Sequence, residues 1–325
     1  MTTEYCFLLG AGASVPAGVP AMSELYKLYL DKLTVQEVKF INQLENEVDF
    51  LQAEDKELNL ESLFEVLDLI TNLDNRLIKS FFGNFKEGIL NYLDLVPAML
   101  KKLKMLIRRE CNIQKKDIEY LLPLMKFIHE SDSLQVFTLN YDLTIETLCE
   151  LYRINYTDGF DLVWKPELLK REDYDVRLYK LHGSIIWYQT ERGKRLKLPI
   201  INYDKELRYF LGTELSGMLV YPEHNKYEPF KNLLNHFDQE LLRKKVLISI
   251  GYSFGDPLIR QMVLNGLKDN PKLHIYLVSP SAQKIAGKYF SQYQDRLVIF
   301  NKGINEFLAD KSLYIKLRAL LKSKE

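Results

Sequence analysis

The stretch Tyr5-Cys6-Phe7-Leu8-Leu9, followed at once by Gly10-Ala11-Gly12-Ala13-Ser14, constrains this chain more than any other. An unbroken apolar run that halts at glycine reads as a strand buried on both faces, the form strands take in parallel sheets. Gly10, Gly12 and Gly18 then surround a strand-to-helix turn, where glycine permits tight backbone approach and a following helix offers unpaired N–H groups to a pyrophosphate. The spacing departs from GxGxxG, because the third glycine follows the second by six residues. The region beyond is helical and has no second strand ending in Asp or Glu about twenty residues on, so an ordinary hydride-transfer enzyme is disfavoured.

From about Val35 to His129 the pattern changes to helical spacing. Val38, Ile41, Leu44, Val48 and Leu51 share a face, as do Leu63, Val66, Leu67 and Ile70, and further helical stretches run through Leu77 to Cys111 and Ile118 to Ile128. A strand returns at Leu134 to Leu139 and ends at Asn140-Tyr141-Asp142. Another, Arg177 to Leu181, ends in His182-Gly183-Ser184, and hairpins and loops are expected from there to Pro222. After a helix near Phe230 to Leu242 the alternation is clear: strand Val246 to Ile250 meets Gly251, helix Pro257 to Leu267 follows, and strand Leu273 to Val278 meets Ser279-Pro280. Strand Leu297 to Phe300 and an amphipathic helix through Leu313, Ile315, Leu317 and Leu320 complete the chain. Strands alternating with helices predict an α/β fold, a Rossmann-like, mostly parallel sheet with helices on both faces and a large helical insertion. The expected division is 1–34 with 130–325 for the sheet domain and 35–129 for the insertion.

Composition narrows the function. Lys plus Arg and Asp plus Glu both number 44, so no net field draws a nucleic-acid backbone or an acidic membrane. The three cysteines, Cys6, Cys111 and Cys149, are scattered and form no CxxC pair, which suggests neither a disulfide framework nor a zinc ribbon. With no basic leader and no apolar run near the roughly 20 residues of a membrane span, a soluble, cytoplasmic protein is expected.

The fuller loop pattern, with Gly18-Val19-Pro20 after Ser14, resembles the first signature of the sirtuin family, GAGxSxxxGxP. Thr138-Leu139-Asn140-Tyr141-Asp142 is similar to that family's TQNxD element, and Leu181-His182-Gly183-Ser184 to its histidine-glycine element. Gly251-Tyr252-Ser253 stands where the family has Gly-Thr-Ser, and Val278-Ser279-Pro280 resembles the later loop that meets the adenosine half of NAD. The departures are equally specific. Protein deacylases of the family carry four zinc cysteines between the histidine and Gly-Thr-Ser elements, and here no cysteine follows Cys149. Ala21-Met22-Ser23 replaces the usual Asp-Phe-Arg, and Leu139 replaces the Gln of TQNxD. The remaining pattern looks like the bacterial sirtuin-like NADases of antiphage defence, with their helical insertion and a Gly-Tyr-Ser-Phe-Gly-Asp element, here Gly251 to Asp256. Asn59-Leu60-Glu61-Ser62-Leu63 resembles a short acidic element of those proteins.

The resemblance implies NAD as substrate and no metal, with Gly10, Ala11, Gly12, Ser14, Gly18, Pro20, Gly251, Ser253 and Ser279 holding phosphate and adenosine ribose. It also implies that Asp142 holds the nicotinamide carboxamide. Breaking the nicotinamide–ribose bond passes through an oxocarbenium-like state, so a site must fix the ribose, hold the pyridine and position a water. Asn140 offers a donor and an acceptor for that purpose. His182 can act as a base near neutral pH. His129, His224, His236 and His274 lack such context, and Trp164 and Trp187 read as packing residues. NAD hydrolysis is the leading expectation. A zinc-free deacylase or ADP-ribosyltransferase, and a non-catalytic NAD or ADP-ribose sensor, are the alternatives. Apolar residues of the insertion, among them Phe81, Phe82, Phe85, Tyr92, Leu93 and Leu95, exceed what one covered helix face needs. A homo-oligomer, or a separate trigger protein, is therefore expected to set activity, with the insertion covering or completing the NAD site.

Overall fold

The computed structural model describes residues 4–51, 60–72, 89–113, 115–190, 193–199, 215–220 and 228–310. Asn59, residues 77–88 of the helical stretch expected over Leu77 to Cys111, with Phe81, Phe82 and Phe85, His224 and the C-terminal helix expected through Leu313 to Leu320 lie outside these residues. The described strands are β1 (Tyr5–Leu9), β2 (Leu134–Thr138), β3 (Tyr156–Thr157), β4 (Val176–Lys180), β5 (Gly183–Thr190), β6 (Arg195–Lys197), β7 (Leu215–Val220), β8 (Val246–Ile250), β9 (His274–Val278) and β10 (Leu297–Phe300). The α-helices are α1 (Met22–Leu30), α2 (Val35–Leu51), α3 (Leu60–Asn72), α4 (Val96–Glu110), α5 (Met125–His129), α6 (Thr144–Tyr152), α7 (Phe230–Arg243), α8 (Pro257–Asp269), α9 (Ala282–Tyr289) and α10 (Ile304–Ala309).

The chain divides into two compact units, one made of the described residues of 1–19, 112–220 and 224–325, the other essentially 20–111. Helical spacing alone puts the divisions at 34/35 and 129/130. The segment before β2 belongs with the sheet for a packing reason: Ile118, Leu121, Leu124, Phe127 and Ile128 are buried in the same apolar cluster as Phe7, Leu9, Val136 and Leu178.

In the first unit seven strands form one sheet, ordered β10-β9-β8-β1-β2-β4-β3, with every pairing parallel. Strand alternation sends neighbouring side chains to opposite faces. Phe7, Leu9 and Val136 meet α6, α10 and the 115–128 segment on one face. On the other, Phe137 stacks on Tyr179 at 4.5 Å and meets Phe237 of α7 at 4.9 Å. Gly266 of α8 lets that helix close on α7, since a Cβ there would stand 2.9 Å from Leu241 Cβ. Helices therefore cover both faces of a Rossmann-like parallel sheet, as the alternation predicts. The stretch after His182, expected as hairpins, is a three-stranded antiparallel sheet ordered β6-β5-β7.

The second unit is helical. Thr34 and Glu37 form a reciprocal capping box at the start of α2: Thr34 N–H donates to Glu37 Oε2 (2.7 Å) and Glu37 N–H to Thr34 Oγ1 (3.4 Å). Lys102 of α4 donates to both Glu37 oxygens at 2.8 Å. Burial raises the Glu37 carboxyl, but Lys102 and Thr34 outweigh it and hold the group below its ordinary value. Tyr29 of α1 is buried and donates to Met99 O (3.0 Å), tying α1 to α4. Leu93 is buried, and Tyr92 and Leu95 are half-buried. No helix among the described residues is long and apolar enough to cross a membrane.

Candidate active site at the carboxyl edge of the sheet

Because β9, β8, β1, β2 and β4 are adjacent and parallel, their carboxyl ends share one edge. Ser279, Gly251, Gly10, Asn140 and His182 each follow one of those ends, so the sheet order sets them in a row. The chain runs from β1 to β2 on one side, and from β8 to β9 on the other. That makes the β1/β8 junction the topological switch point, where open α/β sheets form their ligand crevice.

Two loops meet at this junction through backbone alone. Gly10 N–H donates to Ile250 O and Gly12 N–H to Gly251 O, both at 2.9 Å. Gly251 has φ +65°, and a Cβ there would stand 2.3 Å from Ala13 N. A Cβ on Gly10 would lie 2.6 Å from Tyr252 Cα. These glycines are required by loop-against-loop packing as well as by any ligand. The expected helix directly after the loop is replaced by two 3-10 turns, Ala11–Ala13 and Val15–Ala17, and Gly18 closes the second in the left-handed region. Inside the loop, Ala13 N–H is taken by Gly10 O and Ser14 N–H by Ala11 O. Ala11 and Val15 stand at the first positions of the two turns, where a backbone N–H has no partner within its own turn. Tyr120 donates to Ala13 O (2.8 Å), bracing the loop from below. Burial, and secondarily the charge of Asp142, raise the Tyr120 hydroxyl pKa.

Asn140 is held by its amide nitrogen, which donates to Gly10 O (3.0 Å) and meets buried Ser14 Oγ at 2.9 Å. Its donor capacity is thus spent within the protein and its carbonyl oxygen is left as the working group. Asp142 is buried, and its Oδ1 accepts from Thr144 N–H (3.0 Å) at the start of α6. Behind it, Lys180 donates to Asp142 O (2.5 Å) and lies 2.9 Å from Glu146 Oε1. Burial pushes the Glu146 carboxyl above its ordinary value despite that lysine. Tyr120, Lys180 and Glu146 are supports that motif reading did not single out, since none belongs to a motif.

His182 is buried, with Nε2 3.0 Å from Asp256 Oδ2. Asp256 also caps α8, its Oδ1 accepting from Leu258 N–H (2.7 Å) and Ile259 N–H (3.3 Å). Burial acts to raise the Asp256 carboxyl, yet the His182 contact and the two helix N–H groups bring it below its ordinary value. In the sequence Asp256 is only the last residue of the Gly251–Asp256 element. The visible signal was Asp-Pro at a helix start, which announces a cap and says nothing of a histidine 74 residues away.

The remaining expected residues are peripheral. Ser253 is exposed, Ala11 is half-buried, and half-buried Pro20 begins the helical unit. Ser279 is half-buried and its Oγ accepts from Ser281 N–H (3.2 Å). Trp187 is buried with Nε1 donating to Asp158 Oδ2 (3.1 Å), and it packs against Phe160 and Trp164, as packing residues do. Among the described residues no cluster of His, Cys, Asp and Glu could hold a metal ion.

Fold and site together define a Rossmann-like protein whose polar side chains line the carboxyl edge at the switch point. The SIR2-like domain model matches residues 134–298, half of the sequence, and the chain belongs to that family. The matched span holds Asn140, His182, Gly251 and Ser279, while the glycine loop lies before it. Among solved structures, the chain is similar to a Sir2 homologue in complex with NAD at 14% identity, covering 97% of this chain and 90% of that one, with a TM-score of 0.48. It is also similar to a Sir2 homologue mutant with ADP-ribose (14%, 99% and 94%, 0.45) and to Sir2 bound to an acetylated peptide (13%, 97% and 93%, 0.41). No curated protein sequence matches it.

Proposed function

We propose that this protein is an NAD glycohydrolase, converting NAD and water to nicotinamide, ADP-ribose and a proton. One observation carries the reading: Gly10, Asn140, His182 and Gly251 stand in a row at the switch point of a SIR2-like fold. In the proposed reaction the C1′–N bond of the nicotinamide riboside breaks, its electron pair going to the pyridine nitrogen, and water oxygen bonds to C1′. His182 takes the water proton. The Asn140 carbonyl accepts from a ribose hydroxyl or from that water, and Asp142 receives the carboxamide. Gly10, Ala11 and Gly12 of the loop take the phosphates, with Ser14, Gly18, Gly251, Ser253 and Ser279 completing the dinucleotide contacts.

Hydrolysis is favoured over peptide deacylation by the segment between His182 and Gly251. It contains no cysteine, and its described strands form the β5-β6-β7 sheet. The proposal extends to a cytoplasmic, NAD-depleting effector of bacterial antiphage defence, controlled through a homo-oligomer or a trigger protein. Free NAD cleavage would drain the cell that makes it, so such control follows from the activity itself. The test is nicotinamide release from NAD by the purified protein, with and without an acyl-lysine peptide. Release without peptide is expected, and Asn140→Ala and His182→Ala should each lower it at least ~100-fold, in proteins that are still folded by circular dichroism although each loses about 1–3 kcal/mol of stability with its buried hydrogen bonds. Release that requires the peptide, or near wild-type turnover in either variant, would count against the reading.

A further inference from the structure

We infer that Lys180 is a positioning residue for the nicotinamide end of the site, holding the Asp142 backbone so that the Asp142 carboxylate stands at a fixed place beside His182. The inference rests on the reading of Asp142 as the group that receives the carboxamide. Lys180 is the last residue of β4 and lies opposite Thr138, the last residue of β2, in their parallel ladder. One strand leads into Asn140-Tyr141-Asp142 and the other into His182. Three hydrogen bonds tie these two strand ends together. Leu181 N–H donates to Thr138 O (2.8 Å) and Ile185 N–H to Tyr141 O (3.1 Å), on either side of His182 in the chain. The third comes from Lys180 Nζ, which donates to Asp142 O at 2.5 Å. The first two need only the backbone. The third depends on one side chain, and it falls on the residue whose carboxylate has to be aimed.

Asp142 is thereby gripped at both ends, its carbonyl by Lys180 and its Oδ1 by Thr144 N–H (3.0 Å) at the start of α6. The lysine side chain is only 1% exposed. An ammonium at that depth is a poor means of stabilising a fold, because desolvation offsets much of what its contacts return and an apolar side chain of similar size would fill the space. What the lysine adds is a donor that reaches a carbonyl beyond its own strand. Its contact with Glu146 Oε1 at 2.9 Å, from the first turn of α6, steadies it there. Without Lys180 the Asp142–Leu143 peptide loses this anchor, and the carboxylate is free to shift relative to His182. In the proposed reaction one of these groups holds the pyridine and the other the water, so their spacing concerns the nicotinamide half of NAD and leaves the ADP-ribose half untouched.

The experiment compares the full-length wild type with Lys180→Met and Asp142→Ala in two measurements. The first is residue-level amide hydrogen exchange without ligand. In Lys180→Met the Thr144 amide should exchange at least ~10-fold faster than in wild type, after scaling to the sheet amides of Phe7 and Ile248 to remove any global loss of stability. The second is calorimetric affinity for ADP-ribose and for an NAD analogue with a carbocyclic ribose, which cannot form the oxocarbenium ion. Lys180→Met and Asp142→Ala should each bind the analogue at least ~10-fold more weakly, with ADP-ribose affinity kept within about threefold. Unchanged Thr144 exchange in Lys180→Met, unchanged affinity for the analogue, or an equal loss for both ligands overturns the inference. If Lys180→Met does not fold by circular dichroism, Lys180→Gln takes its place in both measurements; failure of both to fold makes Lys180 a residue of the fold alone and overturns the inference too. Faster Thr144 exchange in Lys180→Met, in a protein whose Asp142→Ala variant binds the analogue as wild type does or whose wild type binds neither ligand, upholds the hold on Asp142. In that case the carboxamide reading of Asp142, or the NAD reading of the site, is what falls.

Discussion

Gly251 shows how a single residue can be fixed by backbone geometry alone. Its φ of +65° and the 2.3 Å separation between a would-be Cβ and Ala13 N leave no relaxation that spares both loops. Gly251→Ala should therefore destabilise the fold by about 2–4 kcal/mol, combining left-handed strain with displacement of the loop facing it. A thermal melt measures this, and an unchanged midpoint would contradict the packing account. Asn140 makes the same point in side-chain terms. Its amide nitrogen is held by Gly10 O and Ser14 Oγ, so a residue expected to serve a ligand with two groups presents one.

Among elements, two helix starts carry more than helical stability. At α2, Thr34 and Glu37 cap each other while Lys102 of α4 binds the same carboxylate. Thr34→Ala removes one hydroxyl acceptor and should cost about 1 kcal/mol, whereas Glu37→Ala also leaves Lys102 without its partner and should cost about 2 kcal/mol. Denaturant melts of the two variants would show the ranking, and equal losses would mean that Lys102 contributes nothing. At α8 the cap is Asp256, whose carboxyl is held below its ordinary 3.8. A depressed carboxyl pKa gives stability that is full above the unfolded-state value and lost as pH falls through the folded one. The stability advantage of wild type over Asp256→Asn should accordingly shrink as pH falls below about 4. Melts across that range test the sign, and an advantage that grows on acidification would refute it.

For the whole molecule, the proposed control by assembly makes a measurable demand. Light scattering across concentrations, paired with nicotinamide release, should show specific activity rising as the protein associates or as a partner is added. A strict monomer whose specific activity is high and independent of concentration would remove assembly from the proposal. The neutral balance of 44 basic and 44 acidic side chains supplies little long-range repulsion between copies of the chain.

What the amino-acid sequence determined by itself was local and periodic. Apolar runs ending in Gly10, Asn140, His182, Gly251 and Ser279 mark strands and their ends, and in a parallel sheet such ends share an edge, so the row of candidate residues was legible in the sequence. The helical spacing of α2 to α4 was equally readable, because one buried face per helix leaves a regular trace. The partners were not. That His182 meets Asp256, that Tyr120 braces Ala13, and that Lys180 lies behind Asp142 beside Glu146 depend on strand order and loop path. The division between the two units was also settled by packing, since residues 118–128 have helical spacing yet bury their apolar side chains beneath β1 and β2. A periodicity records which face of an element is buried; it carries no record of what covers that face, and the covering is what brings distant residues within a hydrogen bond of each other.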